Sequence, residues 1–489
     1  MTFALAANAL GWIGFGPSET GSMIGGNPCV VMEETFGSGK IEAYSMHSSE
    51  FTKPTMNQEN KCVLLDFAQV NGETYAKVMR PLRGCRPEDL DIHPEWDMRY
   101  IAAWGTAGGM TLAYHSGRRA MTEFNAVYGP GPDYELPPDA LSFEAVNGEF
   151  IMPAHRDVYF CRGLTLPNDR RFHIVMTEPV LASDEISPAQ HHHFNLFACP
   201  HGLPPAYRDG ETKQCNSATG LPPVGCFQFF TTWLSGQKNV WFMDGALPMG
   251  DNGTDGAALY VIAQGHIDNS DMQGGRVVPP WGLRLWYTPT LLPVEAGSIG
   301  LVAGLPIPQG IQPGIASYTL GGECPPGCTD TWPAEGVTVT SVAPHMHWHG
   351  KGISFRVLRR EGLKWVEQPL LHQLLHWDSN FQGVRVRQPF KLLPGDRLVI
   401  NCIYSTLNRT EPLRNGEGYE DEMCMSSILI HPRQKLTSCA QYPGQADPAY
   451  PTFENPIVVC GLSDQPLEVA IVRDYDVVPL PEPPNNCQA

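Results

Sequence analysis

The sequence contains no apolar run long enough to span a bilayer and no cluster of basic residues. Only 17% of the residues are charged, and acidic residues outnumber basic ones by 51 to 33, which gives a formal net charge of −18. A nucleic-acid-binding surface carries the opposite balance of charge. We therefore expect neither a nucleic-acid partner nor a transmembrane segment.

The first residues do not predict a secretory leader. The chain begins MTFALAANALGWIGFG, which alternates like a strand and has neither a basic start nor a small-residue cleavage site. The 14 cysteines are nevertheless typical of a secreted protein with about seven disulfides. Asn252 and Asn408 each begin a glycosylation triplet. We expect a secreted or vesicle-lumenal protein whose sequence has been truncated ahead of the present start.

Long helical patterns are scarce, whereas glycine (49) and proline (45) are spread along the whole chain. Stretches such as CVLLDFAQV and RFHIVMTEPVL are typical of short strands joined by turns. We predict an all-β fold with a sandwich over residues 1–135 and a Pro-rich linker over 136–149. Two further strand-rich domains would cover 150–300 and 301–465, and an extended tail would cover 466–489.

The stretch APHMHWHGKG places His345, His347 and His349 at alternate positions. Side chains two apart in a strand lie on one face, so two such imidazoles can chelate one metal without bending the backbone. The sequence around Met423 does not by itself indicate a metal ligand, because a methionine beside a cysteine is usually part of a core. The alternation therefore predicts a metal site in the third domain.

A second histidine cluster, HHH at 191–193, is harder to interpret. Neighbours in a strand point to opposite faces, which favours His191 together with His193, but a bulge would let His192 and His193 converge. His266, in GHIDN, is a further candidate. Imidazoles suit zinc, copper, iron or nickel, and a thioether favours Cu(I). The residues alone leave both the metal and the choice between His191 and His192 open.

The ordered set HHFNLFAC, GHIDN with GLRLWYT, HMHWHGKG and EDEMC resembles the copper type II, ascorbate-dependent monooxygenases. The stretches GWIGFGPSETGSMIGG, RPLRGCRPEDL and YHSGRRAMTEFN resemble a DOMON domain. This domain order is dopamine β-hydroxylase-like. The resemblance implies an N-terminal DOMON β-sandwich without its first strand, followed by two jelly-roll-like antiparallel β-sandwich domains.

The resemblance implies two copper ions. One would bind His192, His193 and His266, and the other, which binds O₂, would bind His345, His347 and Met423. Ascorbate would reduce both ions, and an activated C–H of a small substrate would be hydroxylated, with phenethylamines such as dopamine or tyramine as candidates.

The resemblance also implies a set of disulfides. They are Cys161–Cys215, Cys199–Cys226, Cys324–Cys439, Cys328–Cys460, Cys402–Cys424 and Cys85–Cys487. Cys29 and Cys62 remain, and we predict that they pair with each other.

Substrate recognition departs from the family patterns. Ala343, Met425 and Ser427 stand where peptide-amidating members use Arg, Asn and Tyr to hold a carboxylate, which disfavours peptide amidation. Asn195 stands where the hydroxylase pattern has Glu, which puts amine recognition in doubt.

Two alternatives stay open. One is a secreted copper-binding or interaction protein of the same fold without turnover. The other concerns the first domain, which could bind haem through Met23 and His115, although a structural role, or one in forming a homodimer, is the simpler hypothesis.

Overall fold

The computed structural model describes residues 1–35, 38–46, 55–57, 62–86, 89–105, 115–129, 132–181, 190–215, 226, 228–250, 257–304, 310–380, 382–416, 418, 420–442, 457–462, 466–470 and 477–479. Contacts divide the chain into two compact units. The first is Met1–Pro132 with Leu374–Trp377, and the second is Asp133–Gln373 with the described residues from Asp378 onward.

The first unit is built from two antiparallel sheets. Its strands are β1 (Thr2–Ala7), β2 (Trp12–Pro17), β3 (Cys29–Thr35), β4 (Ser38–Ser45), β5 (Thr55–Met56), β6 (Val63–Val70), β7 (Glu73–Met79), β8 (Met98–Gly105) and β9 (Arg119–Phe124). The sheet orders are β1-β7-β6 and β5-β4-β3-β2-β8-β9. In β7 the alternate residues Thr74, Ala76 and Val78 are buried, so one face of the strand packs on the core.

The second unit begins with a sandwich of two five-stranded sheets. Its strands are β10 (Leu141–Val146), β11 (Phe150–Ile151), β12 (Asp157–Thr165), β13 (Arg171–Val180), β14 (His191–Ala198), β15 (Lys213–Gln214), β16 (Gln228–Leu234), β17 (Val240–Trp241), β18 (Leu247–Gly250), β19 (Tyr260–Asp268), β20 (Val277–Val278) and β21 (Gly282–Thr288). One sheet has the order β10-β21-β13-β17, with β18 beside β13, and the other has the order β15-β12-β19-β14-β16. A 3₁₀ turn spans Pro205–Tyr207. Phe194 and Trp281 are fully buried in the core of this sandwich.

A second sandwich completes this unit. Its elements are β22 (Gly297–Ala303), β23 (Tyr318–Cys324), the short helix α1 (Pro326–Thr329), β24 (Val337–His345), β25 (Gly350–Glu361), β26 (Lys364–Glu367), β27 (His372–Leu374), β28 (Arg385–Leu392), β29 (Arg397–Tyr404), β30 (Met425–His431), β31 (Leu436–Tyr442), β32 (Ile457–Leu462), β33 (Pro466–Ala470) and β34 (Val477–Val478). The sheet orders are β28-β24-β30-β22-β31-β32-β33 and β23-β29-β25-β26-β34, with β27 beside β25. The pairs β22–β31 and β26–β34 are parallel, and the other described pairs are antiparallel.

The all-β prediction is confirmed, and the strands refine the expected boundaries. Residues 136–149, expected to form a linker, include β10, which pairs with β21 along its whole length. Strand β22 starts at Gly297, before the expected boundary at 300, and pairs with strands of the third domain. The expected tail includes β33 and β34. Local composition identified the proline-rich stretch. It could not identify the partners of β10 and β22, because those strands are distant in sequence.

Disulfides join the strands of each domain. The six bonds described are Cys29–Cys62, Cys161–Cys215, Cys199–Cys226, Cys324–Cys439, Cys328–Cys460 and Cys402–Cys424, as expected from the sequence. The seventh expected bond, Cys85–Cys487, falls on Cys487, which lies outside the described residues, as does Asn252. Asn408, the other glycosylation candidate, is exposed.

No helix among the described residues combines the length and apolar character that a membrane crossing requires.

Candidate metal centre

Three of the predicted histidines meet on two neighbouring strands. Strand β14 pairs with β19, and the register shifts between His191, opposite Ile267, and His193, opposite His266. Such a bulge lets consecutive residues turn toward the same side. The rings of His192, His193 and His266 have centroids 4.8–5.2 Å apart, and one ring nitrogen from each lies within 4.8 Å of the others. His191 instead packs edge-on against Trp281, with centroids 4.6 Å apart.

The other predicted set lies at the end of β24. The ring centroids of His345 and His347 are 5.3 Å apart. His345 is paired with Met425 on β30, and His347 Nδ1 lies 3.1 Å from the carbonyl oxygen of Asp421. Met423 belongs to this same segment, and its own carbonyl oxygen accepts a hydrogen bond from Tyr404. The Cys402–Cys424 disulfide fixes the residue after Met423 to β29. The backbone carrying Met423 therefore lies beside His347.

The two histidine sets are in contact with each other. The ring centroids of His192 and His347 are 5.8 Å apart, and those of His193 and His345 are 5.7 Å apart. The sequence suggested two separate sites, one in each domain. The tertiary structure brings five imidazoles from three distant segments into one cluster.

Hydrogen bonds to the outer ring nitrogens set the tautomers of two of these histidines. Because a carboxylate and a carbonyl accept only, His266 Nε2 donates to Asp157 Oδ1 at 3.1 Å and His347 Nδ1 donates to the Asp421 carbonyl. The other ring nitrogen of each then carries a lone pair. Among the described residues, the buried Nδ1 atoms of His266 and His193 have no hydrogen-bond partner. Burying such nitrogens without a partner is costly, and a bound metal ion would supply one.

Gln382 orients the ring of His345. Its Nε2 donates to the carbonyl oxygen of Ser379 at 2.8 Å, so its Oε1 faces His345 Nδ1, 2.7 Å away. This arrangement makes Nδ1 the protonated nitrogen and leaves the Nε2 lone pair available for a metal.

Glu422 connects the HMHWHG stretch to the Met423 segment. This fully buried carboxylate accepts hydrogen bonds from four backbone amides, those of His347 (2.9 Å), His349 (2.5 Å), Gly350 (3.0 Å) and Met423 (3.2 Å). Burial raises the pKa of Glu422 to about 7, against the opposing effect of these four donors. The carboxylate therefore holds the His345/His347 strand end and Met423 in one arrangement.

The histidine pKa values favour neutral rings. Burial is the largest cause and lowers the pKa of His345 to about 4 and that of His347 to about 3. Burial and then repulsion from His266 lower the pKa values of His192 and His193 well below 6.5. All four rings are therefore neutral at pH 7, which is the form that binds a metal.

Sequence reasoning missed the three side chains that orient this cluster. Glu422 directly precedes Met423, so the EDEMC stretch offered a signal for it. Asp157 and Gln382 offered none, because each reaches its histidine from a distant segment. His349 is outside the expected ligand set, and its Nε2 lies 2.6 Å from Arg409 Nη1.

In the first unit, His115 is buried and its Nδ1 lies 2.9 Å from the carbonyl oxygen of Ser116. Met23 is half-buried.

Family comparisons cover most of the chain. Residues 143–274 match the profile described as copper type II ascorbate-dependent monooxygenase, N-terminal domain, and residues 295–447 match that of its C-terminal domain. Residues 1–105 match the DOMON domain. The two copper-monooxygenase matches together cover most of the strands of the second unit.

Individual relatives are similar at low identity. DBH-like monooxygenase protein 1 of Homo sapiens is 27% identical over 453 residues, which are 91% of this chain and 71% of that protein. Dopamine beta-hydroxylase of Bos taurus is 24% identical over 446 residues, which are 87% of this chain and 68% of that protein. The cytochrome b domain of pyranose dehydrogenase from Coprinopsis cinerea aligns over 25% of this chain and 66% of that chain, at 16% identity and a TM-score of 0.21, which is too low to support an inference.

Proposed function

This chain belongs to the copper type II ascorbate-dependent monooxygenases, and we propose that it hydroxylates an activated C–H bond of a small substrate. The substrate C–H and O₂, with two electrons and two protons, would give C–OH and water. Ascorbate would supply both electrons and be oxidised. Phenethylamines such as tyramine and dopamine are the first compounds to assay.

Two copper ions are proposed for the histidine cluster. His192, His193 and His266 would hold one ion through nitrogen alone, and His345, His347 and Met423 would hold the other, where the thioether favours Cu(I). Bound copper would supply the one-electron and O₂ chemistry. Three protein ligands leave room on each ion for a further molecule, whereas a structural site uses four.

The remaining side chains would act by holding these ligands in place. Asp157 and Gln382 accept the outer ring protons of His266 and His345. Such partners fix ring orientation and raise ligand basicity. Glu422 would keep the backbone of His347 and Met423 at a constant separation through its amide hydrogen bonds.

The observation that carries this proposal is the meeting of five imidazoles from three distant segments, with neighbouring ring centroids 4.8–6.3 Å apart. In this cluster the buried Nδ1 atoms of His193 and His266 have no hydrogen-bond partner among the described residues. Burying two such atoms costs free energy, which a bound metal ion would offset. A secretory location is proposed with it, since six disulfides persist in oxidising compartments.

The test measures copper per chain by elemental analysis and then ascorbate-dependent O₂ uptake with tyramine, dopamine and the uncharged analogue 4-ethylphenol. We expect two coppers per chain and uptake coupled to a hydroxylated product. His347→Ala should lose about one copper and all coupled uptake while keeping the circular-dichroism spectrum. His349→Ala is the matched control, since it changes a histidine of the same motif outside the proposed ligand set, and it should keep both coppers.

Two results would count against the proposal. Copper bound without uptake on any candidate substrate would favour a copper-binding protein without turnover. Equal copper loss in the His347 and His349 variants would refute the ligand assignment.

A further inference from the structure

A pocket lies between the two sandwiches of the second unit. Its empty volume is about 390 Å³, counting its open mouth. Six of the side chains that line the pocket are apolar: Phe230, Val240, Phe242, Ala343, Val384 and Leu429.

The pocket adjoins the proposed copper ligands. Ser341 and Ala343 line it and precede His345 by four and two residues on β24, so the three side chains share one face of that strand. On β30, Ser427 lines the pocket and shares a face with Met425, the residue opposite His345. A molecule that touches Ala343 therefore lies two strand positions from His345, about 7 Å along the strand.

No ionisable side chain is found among the described residues that line this pocket. Its polar groups are five hydroxyls, those of Thr231, Thr232, Ser298, Ser341 and Ser427. Asn195 lies behind Thr232, whose Oγ1 donates to Asn195 Oδ1 at 2.6 Å. Hydroxyls can donate and accept hydrogen bonds but cannot neutralise a charge. An ammonium or carboxylate that entered would lose water without gaining a counter-ion.

We propose that the part of the substrate held in this pocket is neutral and largely apolar, and that its polar atoms are hydroxyl or carbonyl groups. This inference rests on the proposed function for the reaction but not for binding. It favours an uncharged compound over an amine or a carboxylate of the same shape.

The test compares three phenols that differ mainly in charge: 4-ethylphenol, tyramine and 3-(4-hydroxyphenyl)propionate. Binding to the full-length protein is measured by calorimetry at pH 7, under argon and without ascorbate, so that no turnover occurs. We expect 4-ethylphenol to bind at least about tenfold more tightly than either charged compound. Ser427→Asp should shift the ratio at least about tenfold toward tyramine, because the new carboxylate pairs with the ammonium.

Leu363→Asp is the matched control, since it adds the same charge at a turn residue that is 93% exposed, and it should leave the ratio unchanged. Tighter or equal binding of tyramine or of the propionate by the unmodified protein overturns the inference, as does the absence of saturable binding by all three. Neutral preference without O₂ uptake on any compound would instead refute the proposed oxygenase and leave the binding inference standing.

Discussion

Truncation of Glu422 tests whether the candidate site is held together by one buried carboxylate. Glu422→Ala leaves the backbone amides of His347, His349, Gly350 and Met423 without their acceptor. At about 1 kcal/mol for each unsatisfied amide, the low end of the usual range, the free energy of unfolding should fall by about 4 kcal/mol. The His345/His347/Met423 set should also lose about 10–100-fold in copper affinity, as expected when a supporting partner is removed.

Glu422→Gln should lower the free energy of unfolding by a smaller amount than Glu422→Ala. Oε1 accepts from His349 and Gly350, and Oε2 accepts from His347 and Met423. An amide keeps one of these two oxygens, so we expect about half the loss seen for alanine, near 2 kcal/mol.

The measurement is urea unfolding together with copper titration of each variant. Glu420→Gln is the control, because Glu420 is 62% exposed. Its ion pairs with Arg156, Arg409 and His349 are therefore largely screened by solvent, and their loss should change stability by less than about 1 kcal/mol. A loss below about 1 kcal/mol for Glu422→Ala, with unchanged copper affinity, would refute this account of the site.

Four further predictions follow from the same structure. Gln382→Leu should weaken copper binding at His345 about tenfold or more without unfolding the protein, as measured by competitive chelation; unchanged affinity would show that the ring is held otherwise. Replacing Cys402 and Cys424 by serine should lower the free energy of unfolding by about 3 kcal/mol, given a separation of 22 residues, and should release copper from the sulfur-containing set. Burial alone would raise the pKa of Glu295, but hydrogen bonds from His173 and Arg171 lower it to about 2. The stabilisation from this carboxylate is therefore complete above pH 4.5 and is lost as the pH falls toward 2. Glu295→Gln should reduce the acid-dependent change in the free energy of unfolding by about 2 kcal/mol, measured by urea unfolding at a series of pH values. Because the two histidine sets are in contact, the oxidised protein with two coppers should give a dipolar-broadened electron paramagnetic resonance spectrum, whereas two isolated signals would contradict that contact.

The strands were predictable because their patterns are local. The stretch RFHIVMTEPVL, typical of a strand, forms β13. The alternation at 345–349 predicted a strand through all three histidines, but β24 ends at His345, so His347 and His349 lie beyond its end. The choice between His191 and His192 was not predictable, since it depends on a register shift in the pairing of β14 with β19. A bulge depends on which residues of two neighbouring strands lie opposite each other, and the sequence of one strand does not specify that pairing.

The sequence by itself determined the all-β class, which depends on residue type and local pattern. The resemblance of its ordered motifs to the family implied the disulfide pairs and the six candidate ligands. Tertiary structure alone decided that both histidine sets share one cluster, that Asp157, Gln382 and Glu422 orient it, and that an uncharged pocket lies beside it. The cluster and the pocket arise where strands from separate sandwiches approach each other, and the three orienting contacts each join distant segments within one sandwich. Such contacts depend on packing between surfaces far apart in the chain, for which no local pattern is required.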